Sequence, residues 1–272
     1  MPRAESGRRS SRDVVPGEGS EPDVEIAGID VGTVSRAVPS ALADIAFLPG
    51  WRGLGARARR WMLRDREHPV DGSPVLLLPG VNESPRFLDP FAALALASCR
   101  PAHVVTTLGR NRSGVLATAE IAAAYLERHD LSGVTIVAHS KGGLVGKQLM
   151  AWEQTGPRVA TMLAIATPFS GSVFASRMPD RALRAFAPTD RTLLDLAANR
   201  GVNGRIVSAF PAFDPQIPGG SELPDAAANV RVPVAGHFRV LGHPELWRLV
   251  RRVLRETDAP ASAPCDGVSG TR

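Results

Sequence analysis

Ser140 stands in Ala138-His139-Ser140-Lys141-Gly142-Gly143, between the β-branched run Val134-Thr135-Ile136-Val137 and an apolar helical stretch from Leu144 to Trp152. A strand that turns so abruptly into a helix needs small residues two before and two after the serine. Ala138 and Gly142 supply them, and the turn holds the serine itself in a strained backbone conformation. Such a nucleophile elbow exposes the serine Oγ, and the helix that follows aims its first N–H groups at the place where an oxyanion would form. The chemistry implied is nucleophilic acyl transfer by an activated serine.

That serine needs a base, an acid to orient the base, and a second oxyanion donor, with chain order serine, then Asp or Glu, then His. His237, in Ala235-Gly236-His237-Phe238, follows the last expected strand at the carboxyl end of the sheet, where Gly236 frees the loop. The other histidine of this region, His243, precedes Pro244 and a closing helix and reads as a cap or packing residue. For the acid, Asp214 in Phe213-Asp214-Pro215-Gln216-Ile217-Pro218 lies 74 residues after Ser140 and 23 before His237. Its rivals Glu222 and Asp225 sit in a turn-type loop, and Asp190 and Asp195 read as helix caps or surface. In Leu78-Pro79-Gly80-Val81, Gly80 lets the backbone approach the nucleophile, so that the N–H of Val81 points inward beside that of Lys141. The Lys141 side chain would be a cation at the reaction centre, favouring acidic or phosphorylated substrates; the expectation is instead that it points away and only its N–H acts.

The elements that must position these residues follow an α/β rhythm from Val75 onward. Strands are expected at 75–78, 103–107, 134–137, 159–165, 205–210 and 229–234, and helices at 87–98, 114–129, 142–153 and from Pro244 to about Glu256. That alternation predicts a mainly parallel sheet flanked by helices. It breaks over 170–200, an insertion expected to form a short cap, with Phe174, Met178, Leu183 and Phe186 as candidates to line an acyl site or to form a small cap core.

At 272 residues and 44% hydrophobic content the chain can bury one substantial core. The expected organisation is a basic tail at 1–23, a helical leader at 24–73 with helices near 39–47 and 57–66, the α/β domain at 74–257, and a tail at 258–272. Two cysteines, Cys99 and Cys265, argue against a disulfide framework. No apolar segment follows Met1 and no run approaches the roughly 18 apolar residues of a membrane span, so a cytoplasmic location is expected. The net charge is +5, nearly all of the positive charge being arginine. The densest basic stretch, 51–66, interleaves Arg with Trp51, Leu54, Trp61, Met62 and Leu63; it could lie on an anionic membrane surface, or pack its Trp/Leu face on the domain. No nucleic-acid module is recognisable. His68, His103 and His129 lack paired ligand spacing, so neither a metal nor an organic cofactor is expected. Oligomeric state is not legible.

Taken together, the Leu-Pro-Gly-Val loop, Ala-His-Ser-Lys-Gly-Gly, Ala166-Thr167-Pro168-Phe169-Ser170-Gly171, Phe-Asp-Pro-Gln-Ile-Pro and Ala-Gly-His-Phe resemble the bacterial lipase and esterase branch of the α/β-hydrolase fold, in particular the small forms with Ala-His-Ser-x-Gly-Gly elbows. The resemblance covers about residues 74–255. It implies a triad of Ser140, Asp214 and His237 and backbone oxyanion donors at Val81 and Lys141. Two positions depart from it: Pro79-Gly80 replaces the His-Gly of many relatives, and Lys141 replaces their Met. The activity implied is hydrolysis of a small-molecule or lipid carboxylic ester. An acyltransferase or thioesterase would use the same triad, and a non-catalytic lipid-binding protein is the alternative of a different class.

Overall fold

The computed structural model describes residues 31–64 and 70–257, with 31–38 as backbone only; the tails expected at 1–23 and 258–272 lie outside the described residues. Strands β1 (Val75–Leu78), β2 (Ala102–Val104), β3 (Val134–His139), β4 (Val159–Ile165), β5 (Ile206–Phe213) and β6 (Ala228–Ala235) form one sheet in the order β2-β1-β3-β4-β5-β6. Every neighbouring pair is parallel. Parallel pairing requires crossovers, which are made by α2 (Asp89–Leu96), α3 (Val115–Arg128) and α4 (Lys141–Ala151) between the first four strands, while α7 (Pro244–Glu256) closes the chain. The crossover from β1 leads to one side and all later strands build on the other. The switch falls between β1 and β3, whose carboxyl ends therefore open a crevice; Gly80 and Ser140 follow those two strands.

The central strands are apolar on both faces because helices cover both. Leu76, Leu78, Ile136, Ala138, Met162 and Ile206 face a core shared with α3 and α4, including Ala119, Leu126, Leu144 and Leu149. Val75, Leu77, Val137, Leu163, Ile165 and Val232 face a second core that holds Phe91 of α2 and Leu246 and Val250 of α7. Alternate residues of each strand thus divide between two cores, which fixes register: a slip by one residue would exchange the faces.

The leader departs from expectation. A single helix, α1 (Val31–Arg64), replaces the two helices expected at 39–47 and 57–66, running through both Pro39 and Pro49. An interior proline costs about 3 kcal/mol of helix stability. Tertiary packing offsets this: Trp51 is 2% exposed and stacks among Phe47, Phe87 and Phe91, and its indole N–H donates to Phe87 O at 2.9 Å. Leu54 and Met62 also pack on the domain, while Trp61 and Leu63 stay exposed. β2 is shorter than expected, because 106–108 form a 3-10 turn. The insertion after β4 carries α5 (Arg181–Arg184) and α6 (Arg191–Ala198). Cys99 is disulfide-bonded, which the count of two cysteines had not led us to expect. Among the described residues no helix is long and apolar enough to cross a membrane.

Candidate active site

β3 is buried throughout and delivers Ser140 at φ 51°, ψ −122°. A non-glycine residue in that region stores on the order of 1–3 kcal/mol. The surroundings over-determine it: Ser140 N–H donates to Ile165 O at 2.8 Å, and Gly143 N–H donates to Ser140 O at 3.0 Å. The small residue required two positions after the serine has a concrete cause, since a Cβ on Gly142 would run into Leu78 O. A Cβ on Gly80 would lie 3.0 Å from Ser140 Cβ, so the loop after β1 packs directly against the serine. Of the two expected oxyanion donors, Val81 N–H has no acceptor among the described residues, and Lys141 N–H opens α4, where the first turn leaves N–H groups without an intrahelical partner.

His237 follows β6 and is 2% exposed. Its Nδ1 lies 2.7 Å from Asp214 Oδ2, while Asp214 Oδ1 accepts from the N–H groups of Gln216 at 2.8 Å and Ile217 at 3.1 Å. Those backbone donors fix the carboxylate, and an Nδ1–H directed at it leaves Nε2 as the free basic nitrogen. Burial pushes the His237 pKa down. The adjacent Asp214 charge and hydrogen bond, with Glu83 and Asp44 adding to them, outweigh burial and leave the pKa raised above 6.5. Ser140, His237 and Val81 face one cavity of about 290 Å³, whose apolar wall includes Phe174, Met178, Leu183, Phe186 and Ile217. All four cap residues named as candidates line this cavity. No hydrogen bond joins Ser140 to His237 among the described residues, the looser spacing frequent before a substrate is bound.

The remaining sequence candidates fall elsewhere. His243 Nδ1 accepts from Glu245 N–H at the start of α7. Asp225 pairs with Arg200 at 2.6 Å on the surface, and Glu222 is exposed. Asp190 caps α6, and Asp195 pairs with Arg191. The Lys141 side chain turns away from the serine. Its Nζ donates to Asn111 O, Asn111 Oδ1, Ser113 O and Thr118 Oγ1, at 2.5–3.0 Å, and burial pulls its pKa down to about 8. A cation at the reaction centre is thereby excluded; Lys141 ties the loop before α3 to the elbow. Among the described residues, no group of three or more His, Cys, Asp or Glu side chains converges as a metal site.

Three residues that the sequence did not single out hold this arrangement together. Asp44, on α1 and 2% exposed, accepts from the N–H groups of His237, Phe238 and Arg239 at 2.6, 3.0 and 2.9 Å. Gly236, at φ 127°, leaves the space that this carboxylate occupies. Glu83 accepts from Gly80 N–H at 2.5 Å and meets His139 Nδ1 at 2.6 Å, and His139 Nε2 lies 3.2 Å from His237 O. A carbonyl only accepts, so Nε2 carries a proton. Glu83 and His139 therefore link the loop after β1 to the loop after β6 beneath the serine. His139 lay inside the elbow already noted and Glu83 just beyond the Leu-Pro-Gly-Val loop; nothing local marks Asp44, 193 residues before His237.

Among solved structures the chain is similar to the mature form of the lipase BlEst2 from Bacillus licheniformis, with a TM-score of 0.54 and 15% identity, over 69% of this chain and 94% of that one. The fold is that of the α/β-hydrolases. The propeptide form of the same lipase matches with a TM-score of 0.54 over 73% of this chain and 54% of that chain, also at 15% identity. A structure from a study of carboxylesterases of the thaumarchaeon Nitrososphaera gargenis matches with a TM-score of 0.47 and 15% identity, over 69% and 92% of the two chains. No protein-family model matches the sequence, and no curated protein is detectably similar to it. At these identities the fold is what is shared.

Proposed function

We propose that this α/β-hydrolase-fold protein cleaves carboxylic esters through Ser140, His237 and Asp214. The observation that carries the reading is the approach of a strained elbow serine and an Asp-held imidazole to one apolar cavity, with two N–H groups free of acceptors beside them. Ser140 Oγ attacks the ester carbonyl carbon as His237 Nε2 takes its proton. The carbonyl oxygen becomes an oxyanion facing the N–H groups of Val81 and Lys141, each contributing roughly 3 kcal/mol to the transition state. Collapse breaks the bond to the alcohol oxygen, which receives the proton from His237 and leaves an acyl-serine. Water then attacks that acyl group with His237 again as base, and the acid is released.

Asp214 keeps Nδ1–H oriented and stabilises the imidazolium formed in each step. Asp44 and the Glu83–His139 pair act as positioning residues, holding the backbone that presents His237 and Val81. The cap wall of Phe174, Met178, Leu183 and Phe186 suits an apolar acyl chain. The exposed Leu63, among the arginines of α1, suits contact with a lipid surface.

The test is hydrolysis of a short-to-long series of p-nitrophenyl acyl esters by the wild-type protein and by Ser140→Ala. Turnover that disappears in the variant supports the reading, and the chain-length optimum separates esterase from lipase. A folded, monodisperse wild type inactive on every ester would sink it in favour of an acyltransferase or a lipid-binding role.

A further inference from the structure

A second cavity, of about 380 Å³, opens between α1 and the loop that follows β1, and Val81 borders both this cavity and the one holding Ser140. Phe238, next to His237, also lines it. The cavity therefore adjoins the site at Val81, the one residue that its lining shares with the apolar cavity. Four arginines line it, and they come from separate parts of the chain: Arg52 and Arg59 from α1, Arg86 from the turn before α2, and Arg110 from the loop after β2.

Against these four guanidinium groups stands a single unsatisfied carboxylate. Asp89 lines the cavity and is 1% exposed, yet neither of its oxygens has a hydrogen-bond partner. Its nearest cations, Arg59 Nε and Arg86 Nη1, are each 3.8 Å away, beyond hydrogen-bond reach. The other acid of the lining, Glu83, has both oxygens engaged, by His139 and by Gly80 N–H. Buried carboxylate oxygens are seldom left unpartnered, and in a residue that lines a cavity an entering ligand can supply the missing donor. Hydroxyl groups supply such donors without adding positive charge, and the arginine excess calls for an anion. Guanidinium forks match phosphate oxygens in particular.

We propose that this cavity is the alcohol subsite and takes a polyol phosphate, its phosphate held by the arginines and its free hydroxyls donating to Asp89. The proposal rests on the ester-hydrolase reading and narrows it: the substrate is an ester of an apolar acyl chain with a phosphorylated polyol. The phosphate contacts lie away from the scissile bond, so they orient the leaving oxygen toward His237 and contribute to both KM and kcat.

The experiment compares octanoyl-glycerol with octanoyl-glycerol 3-phosphate below their aggregation limits, reading the ratio of kcat/KM for the charged over the neutral ester. We expect a ratio of at least ten in the wild type, falling fivefold or more in Arg86→Gln and in Arg59→Gln. The ratio is internal to each preparation, so a loss of folded protein in a variant does not move it. Calorimetry on Ser140→Ala with free glycerol 3-phosphate reads the cavity without chemistry; binding tighter than that of inorganic phosphate, with that advantage reduced by the added Asp89→Asn change, supports the hydroxyl contact, and an advantage unchanged by Asp89→Asn refutes it. The same ester pair presented with long acyl chains in phosphatidylcholine vesicles assigns the source: preference confined to vesicles points to a lipid headgroup, and preference on the soluble esters to a free polyol phosphate ester. A wild-type ratio near one on both soluble and vesicle-borne pairs, with active hydrolysis of p-nitrophenyl esters, overturns the subsite and leaves the ester hydrolase standing. Absence of all ester hydrolysis overturns the parent reading instead, and calorimetry then decides the cavity alone, with no glycerol 3-phosphate binding refuting it.

Discussion

Removing the Asp44 carboxylate tests whether a side chain on the leader helix governs the distant base. In Asp44→Ala the N–H groups of His237, Phe238 and Arg239 lose acceptors now at 2.6, 3.0 and 2.9 Å. Hydrogen bonds to a charged group contribute about 1.5–3 kcal/mol each. Burial of the carboxylate, which raises the Asp44 pKa against those same hydrogen bonds, offsets part of that gain. A net destabilisation of about 3 kcal/mol is expected, comparable with breaking a buried pair. For a domain of this size that corresponds to a fall of about 6–12 °C in Tm. The loop carrying His237 would relax, and a displacement on the order of 1 Å costs about 100-fold in kcat/KM. Asp44→Asn separates geometry from charge: it keeps an oxygen for Phe238 and Arg239, sets an amide nitrogen against His237 N–H, and removes a charge that raises the His237 pKa. In both variants the acid limb of kcat/KM should move to lower pH, read with a soluble ester between pH 5 and 9. A folded Asp44→Ala protein with kcat/KM within twofold of wild type and an unmoved acid limb would refute the argument.

Under the proposed mechanism, Asp214→Asn should lower the pH of the acid limb further and cut kcat by about 10⁴. Because the folded pKa of His237 is raised, its stabilising contribution is fully present below about pH 6.5 and is lost as pH rises through the folded value; urea unfolding should therefore show the gap between wild type and Asp214→Asn narrowing on the alkaline side. Lys141→Met keeps the backbone N–H but strips donors from Asn111, Ser113 and Thr118, so a loss of about 2–3 kcal/mol is expected in the same assay. Asp89, whose pKa burial raises to about 6, costs the wild type stability as pH climbs from 3.8 through 6. Asp89→Asn should accordingly gain roughly 1–2 kcal/mol at pH 7, and the gain should vanish below pH 4. An equal effect at both pH values would refute the assignment.

The sequence by itself determined the parts whose signals are local. The strand at 75–78 and the strand at 159–165 were legible to the residue, because strands buried over most of both faces are largely apolar runs bounded by turns. The elbow was legible because a tight strand-to-helix turn restricts residue size at fixed offsets, as the collision of a Cβ at Gly142 with Leu78 O makes concrete. That Asp214 and His237 meet was legible because each follows a strand end on the edge where parallel strands open. The side-chain direction of Lys141 was open in sequence, since a backbone donor and a pointing cation use the same residue; only the four acceptors presented by Asn111, Ser113 and Thr118 decided it.

Tertiary structure alone decided the rest. The leader reads as two helices because Pro49-Gly50 is a local stop signal, and it forms one because Phe47, Trp51 and Leu54 find a core on the domain that outweighs local propensity. Asp44 becomes part of the site through bonds to backbone N–H groups, which any residue type provides, so no pattern at 237–239 announces the acceptor that lies 193 residues away. Periodicity and turn chemistry record what neighbours along the chain require; a carboxylate that holds a distant loop, or one left without a hydrogen bond beside a cluster of arginines, is set only when the chain has closed on itself.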